Sequence, residues 1–92
     1  MTTYVGTGRK GPNETKSFTI DFATYLAVMQ DTIVDCDAFG TGVEVENRWF
    51  TETDASGTVS GGADGSYGAL TLRVYCASGE VYERAVKIAI KS

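Results

Sequence analysis

The sequence predicts an all-β domain, a sandwich of short antiparallel strands, on three observations. Apolar and polar residues alternate with period two in several runs, most clearly Leu70, Leu72, Val74 and Cys76 against Thr71, Arg73 and Tyr75. Eleven glycines and a single proline punctuate those runs, as tight turns between short strands require. The 92 residues suffice for one domain with one modest core, and not for two domains.

The elements follow in chain order. Residues 1–15, MTTYVGTGRKGPNET, have little apolar content and no period. They predict an extended N-terminal arm, disordered alone and ordered by a partner, with the sandwich occupying residues 16–92. Phe18 and Ile20 alternate with Ser17 and Thr19, which predicts a strand. Asp21 is a candidate N-cap for a turn over residues 22–26. Phe22, Tyr25 and Leu26, at i, i+3 and i+4, leave helix and strand both open there. Residues 32–34 return to strand character, and residues 35–41, DCDAFGT, read as a turn.

Residues 42–50 predict a strand with Val43, Val45 and Trp49 on one face and Glu44, Glu46 and Arg48 on the other. That makes Trp49, the one tryptophan, the expected core anchor. Residues 51–57 read as a loop and 58–60 as a short strand. Gly61 to Ser66 is the clearest turn. The alternating run 67–77 follows, then a two-residue hairpin at Ser78-Gly79. A last strand over 80–91 places Val86, Ile88 and Ile90 inward and Glu83, Lys87 and Lys91 outward. About six short strands with frequent turns favour a sandwich or small barrel over an α/β fold.

Charge and composition exclude several functions. Residues 1–20 carry three basic residues against one acidic, net +2, and residues 21–92 carry five against eleven, net −6. An acidic body argues against nucleic acid, whose phosphates need clustered lysine and arginine. The basic N-terminal stretch reads as a solvated tail or as an arm for an acidic neighbour. No apolar run of about 18 residues is present, so no membrane span is expected. The start of the chain lacks the apolar stretch of a signal peptide, so a reducing compartment is expected. Histidine is absent, which removes the serine-histidine-aspartate triad and the commonest metal ligand. No enzyme is expected, and no cofactor or metal.

Three motifs carry chemistry only on paper. Gly6-Thr7-Gly8-Arg9-Lys10-Gly11 fits GxGxxG, but no strand and helix flank it, so a flexible arm is the better reading. Asp35 and Asp37 beside Cys36, with Asp54 and Asp64, lack calcium-loop spacing and read as turn-capping carboxylates. Tyr67 reads either as a tyrosine bonding back to the chain near a strand start or as a half-buried aromatic beside a turn.

The second half adds a resemblance. Gly65 and Tyr67, the run Leu70 to Val74, Gly79, and Val86 to Ile90 resemble the last strands of bacterial and phage immunoglobulin-like domains. More narrowly, Asp21-Phe22-Ala23-Thr24-Tyr25-Leu26, then Asp31-Thr32-Ile33, then Gly61-Gly62-Ala63-Asp64-Gly65-Ser66-Tyr67 resemble small virion proteins of tailed bacteriophages, of fibre–tail adaptor or neck type. Phe22 and Tyr25 stand where that family often has tryptophan. The resemblance spans roughly residues 20–90. It implies an immunoglobulin-like sandwich with a structural role in the particle, no cofactor and no reaction. Cys36, Trp49 and Cys76 follow the cysteine, tryptophan, cysteine order of antibody domains. A disulfide and a pair of reduced core thiols both remain open.

The expected function is therefore that of a non-catalytic adaptor or connector at the tail, neck or fibre attachment of a virion, made in the host cytoplasm. Capsid decoration and a carbohydrate- or host-surface-binding module are the alternatives. The expected partners are other virion proteins and further copies of the chain, without nucleic acid or membrane. Tyr4, Arg9 and Lys10 on the arm, with Phe50, Tyr75 and Tyr82 facing outward from the sandwich, are the candidate partner-binding residues.

Overall fold

The computed structural model describes the backbone of residues 3–92, and the side chains of all of these except Thr3, Tyr4, Val28 and Met29. Among the described residues the chain forms β1 (Thr3–Lys10), β2 (Lys16–Asp21), α1 (Ala23–Met29), β3 (Ile33–Thr41), β4 (Glu44–Phe50), β5 (Asp54–Ser60), β6 (Tyr67–Cys76) and β7 (Val81–Ile90). The strands make two sheets, ordered β1-β7-β6-β3 and β2-β5-β4. Every pairing is antiparallel except that of β1 with β7, which is parallel. The inner faces of the sheets enclose Ile20, Val59, Leu70, Leu72, Val74 and Ile88, all at most 3% exposed. The predicted sandwich is thus observed.

Period two sets the inner faces of β6 and β7. Leu70, Leu72, Val74 and Cys76 point inward, as do Val86, Ile88 and Ile90. The β6–β7 turn differs from expectation by one residue. Cys76 N–H donates to Glu80 O at 2.9 Å and Gly79 N–H to Cys76 O at 2.9 Å, which leaves a three-residue loop. Gly79 takes a φ of 95° there, the left-handed position that this loop length requires.

Four expectations are corrected. The N-terminal stretch is no free arm, because residues 3–10 lie along β7 with Thr3 opposite Arg84 and Lys10 opposite Ile90. Its glycines give clearance as well as turns: a Cβ on Gly8 would stand 2.2 Å from the Phe18 ring on β2. The DCDAFGT stretch is strand β3, since its backbone pairs with β6 from Ile33 to Thr41. The supposed loop at 51–57 contains most of β5, the central strand of the smaller sheet. Its Ala55, Ser56 and Gly57 are all buried. A Cβ on Gly57 would meet both Leu70 methyls at 3.0 Å, so the small residues allow the two sheets to close.

The fourth correction concerns Trp49, which is 43% exposed. A β-bulge between Val45 and Asn47 adds Glu46 to β4 and resets the alternation. Val45 keeps its inward place against the core, and Trp49 comes to lie opposite Ser56 on the outer face. An extra residue in a strand turns every later side chain over.

Residues 22–26 resolve as helix. Phe22 occupies the N-cap position without a side-chain cap, and the Asp21 carboxylate accepts the Ala23 N–H at 2.8 Å. The helix closes one end of the sandwich with Phe22 and Leu26 fully buried. It ends at Gln30, whose φ of 51° is left-handed and whose N–H returns to Ala27 O and Leu26 O.

Candidate interaction surface

The four outer strands of a two-sheet sandwich leave unpaired backbone at two lateral edges. One edge is formed by β3 and β4, the other by β1 and β2. Edge strands are the natural surfaces for adding another chain.

At the β3–β4 edge an open groove is lined by Asp35, Cys36, Arg48, Trp49 and Phe50. The bulge that sends Trp49 outward also places Arg48 and Phe50 at the seam between sheets. Arg48 Nε donates to Cys36 O at 2.9 Å, and Arg48 Nη2 lies 3.9 Å from Asp37 Oδ1. That ion pair is half exposed and contributes little to stability, but it fixes the guanidinium across the seam. Phe50 remains 39% exposed. Two consecutive, partly exposed aromatics beside an arginine have the composition of a binding hot spot.

At the β1–β2 edge a second groove is lined by Val5, Gly6, Thr7, Phe18, Thr19, Ile20, Asp21 and Val86. Val5 is 44% exposed. Arg9 is exposed on this edge, and the Lys16 ammonium donates to Arg9 O at 2.9 Å.

The sequence-derived candidates separate on this frame. The side chain of Tyr4 lies outside the described residues. Arg9 and Phe50 face solvent. Lys10 does not: it is 1% exposed, and its ammonium donates to Gly11 O at 2.6 Å and Gly61 O at 2.5 Å. It ties the end of β1 to the 61–66 turn. Tyr75 stands on the outer face of the larger sheet but is partly buried, with its hydroxyl donating to Asp37 Oδ2 at 2.7 Å. Tyr82 faces inward, because it shares the parity of Val86 and Ile88, and it stacks on Tyr25 of α1 with ring centroids 6.1 Å apart. Tyr67 fits neither reading given it, being 61% exposed beneath the Lys87 ammonium, 4.6 Å from the ring centre.

Sequence reasoning missed Trp49 as a surface residue, and with it Val34 and Phe39, which are 56% and 44% exposed. No local signal marks the bulge, which shows only in the register of β4 against β5. Phe39 lies under the Arg73 guanidinium at 4.9 Å, and Arg73 pairs with Glu83 at 2.7 Å.

The remaining polar candidates are occupied separately. Cys36 and Cys76 are both buried and free. They lie on neighbouring strands of one sheet, Cys36 opposite Val74 and Cys76 opposite Ile33, and not across the two sheets as in antibody domains. Burial pushes both thiols up, so they remain protonated core residues. Asp35 accepts Cys36 N–H, Asp54 accepts the Thr51 hydroxyl, and Asp64 accepts Ser92 N–H and hydroxyl. Among the described residues no three carboxylate or thiol side chains converge on a metal position.

Two carboxylates clamp the ends of the sandwich. Asp31 accepts the Ser78 hydroxyl, Ser78 N–H at 3.1 Å and Thr32 N–H at 3.0 Å, which joins the start of β3 to the β6–β7 turn. The Ser78 hydroxyl bond foremost holds the Asp31 carboxyl below its usual 3.8. Ser92 N–H does the same for Asp64. The folded chain therefore binds fewer protons at these sites than the unfolded chain. Their stabilisation is complete above about pH 5 and is lost as pH falls through 3.8 toward the lower folded values. Urea midpoints measured from pH 6 to pH 2 are expected to fall less steeply below pH 4 in Asp31→Asn/Asp64→Asn than in the parent chain. Parallel acid limbs would remove the clamps from this account.

A model of the family described as Podophage GP4 fiber-tail adaptor protein gp77 matches residues 10–89. No curated protein matches the chain.

Proposed function

This chain belongs to the podophage GP4 fiber-tail adaptor family, and from that premise we propose that it is a non-catalytic connector at the tail, where several copies together hold fibres through the open edges of their sandwiches. As a member of that family it is a component of a tailed-phage virion. The observation that carries the finer reading is the partly exposed Trp49 and Phe50 beside Arg48 on β4, aromatic surface on an edge strand whose outer side is unpaired. The strand order supports an immunoglobulin-like reading of the sandwich. The set β2, β5, β4 against β3, β6, β7 corresponds to the B, E, D and C, F, G strands of that fold, with the first strand lying along the last.

Capsid decoration gains no support from the family. A carbohydrate platform built on Tyr75 and Tyr82 loses its geometry, since Tyr82 faces the core and the Tyr75 hydroxyl is held by Asp37.

The test is a phage carrying Trp49→Ala. Because Trp49 is outside the core, the variant is expected to keep the parent's thermal midpoint to within a few degrees, while its particles lose fibres by at least tenfold. Particles with a full fibre complement would show that this edge is not the adaptor's contact surface.

A further inference from the structure

The outer face of the larger sheet changes sign along its strands. Toward the α1 end one cross-strand row holds Glu83, Arg73 and Asp37, and Asp35 is exposed beside it. At the opposite end the face carries Arg9 of β1, Lys87 of β7 and Tyr67 of β6. Arg9 is in register with Ala89 and Ala89 with Tyr67, while Lys87 stands two residues before Ala89 on β7. Lys16 of β2 continues the set round the lateral edge, since its ammonium donates to Arg9 O at 2.9 Å. All four residues are exposed.

The three cations have no carboxylate partners. Among the described residues the ion pairs are Arg48–Asp37 and Arg73–Glu83. Two acids at the same end of the sandwich are held by backbone instead, Glu14 accepting Gly11 N–H and Asp64 accepting Ser92 N–H. The chain as a whole is net −4, so an unpaired basic stripe lies on an acidic body.

Spacing decides what the stripe fits. Arg9 and Lys87 are on neighbouring strands and two residues out of step, which sets them about 8 Å apart from a strand spacing of about 4.8 Å and a rise of about 3.3 Å per residue. Lys87 and Tyr67 repeat that offset on the other side of β7. Cations strung out in this way do not converge on one phosphate. With their long stems they match carboxylates on an extended chain, whose same-side residues recur every 6.4–6.8 Å or about that. Tyr67 closes the row with an aromatic ring that holds the Lys87 ammonium 4.6 Å from its centre.

We infer that Lys16, Arg9, Lys87 and Tyr67 form a docking track for an extended acidic segment of a different virion protein, with its carboxylates at alternate positions. The inference rests on the adaptor reading for the setting of that partner and adds the partner's chemistry. The acidic row toward α1 repels the same segment, so it crosses the strands at the basic end and does not run down the face.

Nuclear magnetic resonance titration of the full chain with a short peptide of alternating glutamate and threonine tests the track. Amide shifts are expected to move at Lys16, Arg9, Tyr67 and Lys87, and to fade in about 1 M salt, where the screening length is about 3 Å. A peptide of the same composition with its glutamates in one block should bind more weakly, since consecutive residues of an extended chain face opposite ways. Arg9→Gln/Lys87→Gln should weaken the alternating peptide roughly fivefold, as the loss of two exposed ion pairs does, and Arg9→Lys/Lys87→Arg should bind it as the parent does. No movement at these four residues, or equal binding of the two peptides, would overturn the inference. Tighter binding of inorganic phosphate or of a thymidine oligonucleotide would do so too. If the chain self-associates and Arg9→Glu/Lys87→Glu makes it monomeric, the occupant is another copy and the inference falls. On particles, Arg9→Glu/Lys87→Glu is expected to lower the content of this chain or of fibres roughly tenfold. Full content of both, while Trp49→Ala strips fibres, would remove the track and leave the adaptor's edge contact standing. Loss in the charge-reversed particles alone would support the track and remove the edge contact.

Discussion

Removing residues 1–10 is expected to abolish the cooperative unfolding transition of the chain. These residues read as an extended arm outside the sandwich in the sequence, yet residues 3–10 form β1. The truncation strips β7 of its outer neighbour from Arg84 to Ile90. Lys91 N–H loses its bond to Lys10 O. The part-buried carbonyl of Gly61 loses the bond from the Lys10 ammonium, and a hydrogen bond to a charged group contributes about 1.5–3 kcal/mol. Phe18, which packs where Gly8 leaves room, loses its cover. Small domains hold about 5–15 kcal/mol in total, and one this short has little reserve. Urea titration followed by far-ultraviolet circular dichroism reads the result. A truncated chain that unfolds with the parent's midpoint would restore the arm. A separate Lys10→Met variant, which keeps β1 and removes only the ammonium, isolates the buried contact from the loss of the strand.

Phe22→Ala is expected to destabilise the chain by about 3–5 kcal/mol, the usual cost of deleting a fully buried phenylalanine. Phe22 is 0% exposed and begins the helix that closes the end of the sandwich. Its N–H donates to Thr53 O at 2.9 Å, which ties the helix to the β4–β5 turn. Its ring is tilted against Tyr25, which in turn stacks on Tyr82. The truncation therefore opens a cavity and loosens an aromatic stack that joins α1 to β7. The check is the urea midpoint with an unchanged slope, since the slope reports the surface exposed on unfolding. A loss below about 1 kcal/mol would mean that the end of the core collapses around the missing ring, as cavity costs vary with the ability of a site to relax.

Local pattern and tertiary outcome part company at identifiable residues. Strands β2, β6 and β7, their inward faces and the glycine turn at 61–66 were legible, because period two and turn chemistry are properties of a few consecutive residues. The Phe22, Tyr25 and Leu26 spacing offered the helix as one of two readings. β5 was hidden because Ala55, Ser56 and Gly57 resemble a loop in composition; their smallness answers to Leu70 on the opposite sheet. β1 was hidden because an edge strand needs only one neighbour and little apolar surface, and its glycines answer to Phe18. The free thiols follow from Cys36 and Cys76 lying on neighbouring strands of one sheet.

The candidate surface was less legible than the fold. Arg9 and Phe50, candidates for the surface, are exposed, whereas Lys10 is buried and Tyr82 is partly buried against the core. Trp49 was read as core and is the centre of the proposed contact. What determines its side is a single extra residue, Glu46, whose effect appears only when β4 is laid against β5. The sequence by itself determined an all-β chain, the inward faces of its long regular strands and a resemblance to fibre–tail adaptors. The tertiary structure alone decided which small-residue segments are strands, where the alternation slips and which charges are buried, because each of these depends on a partner distant in the chain.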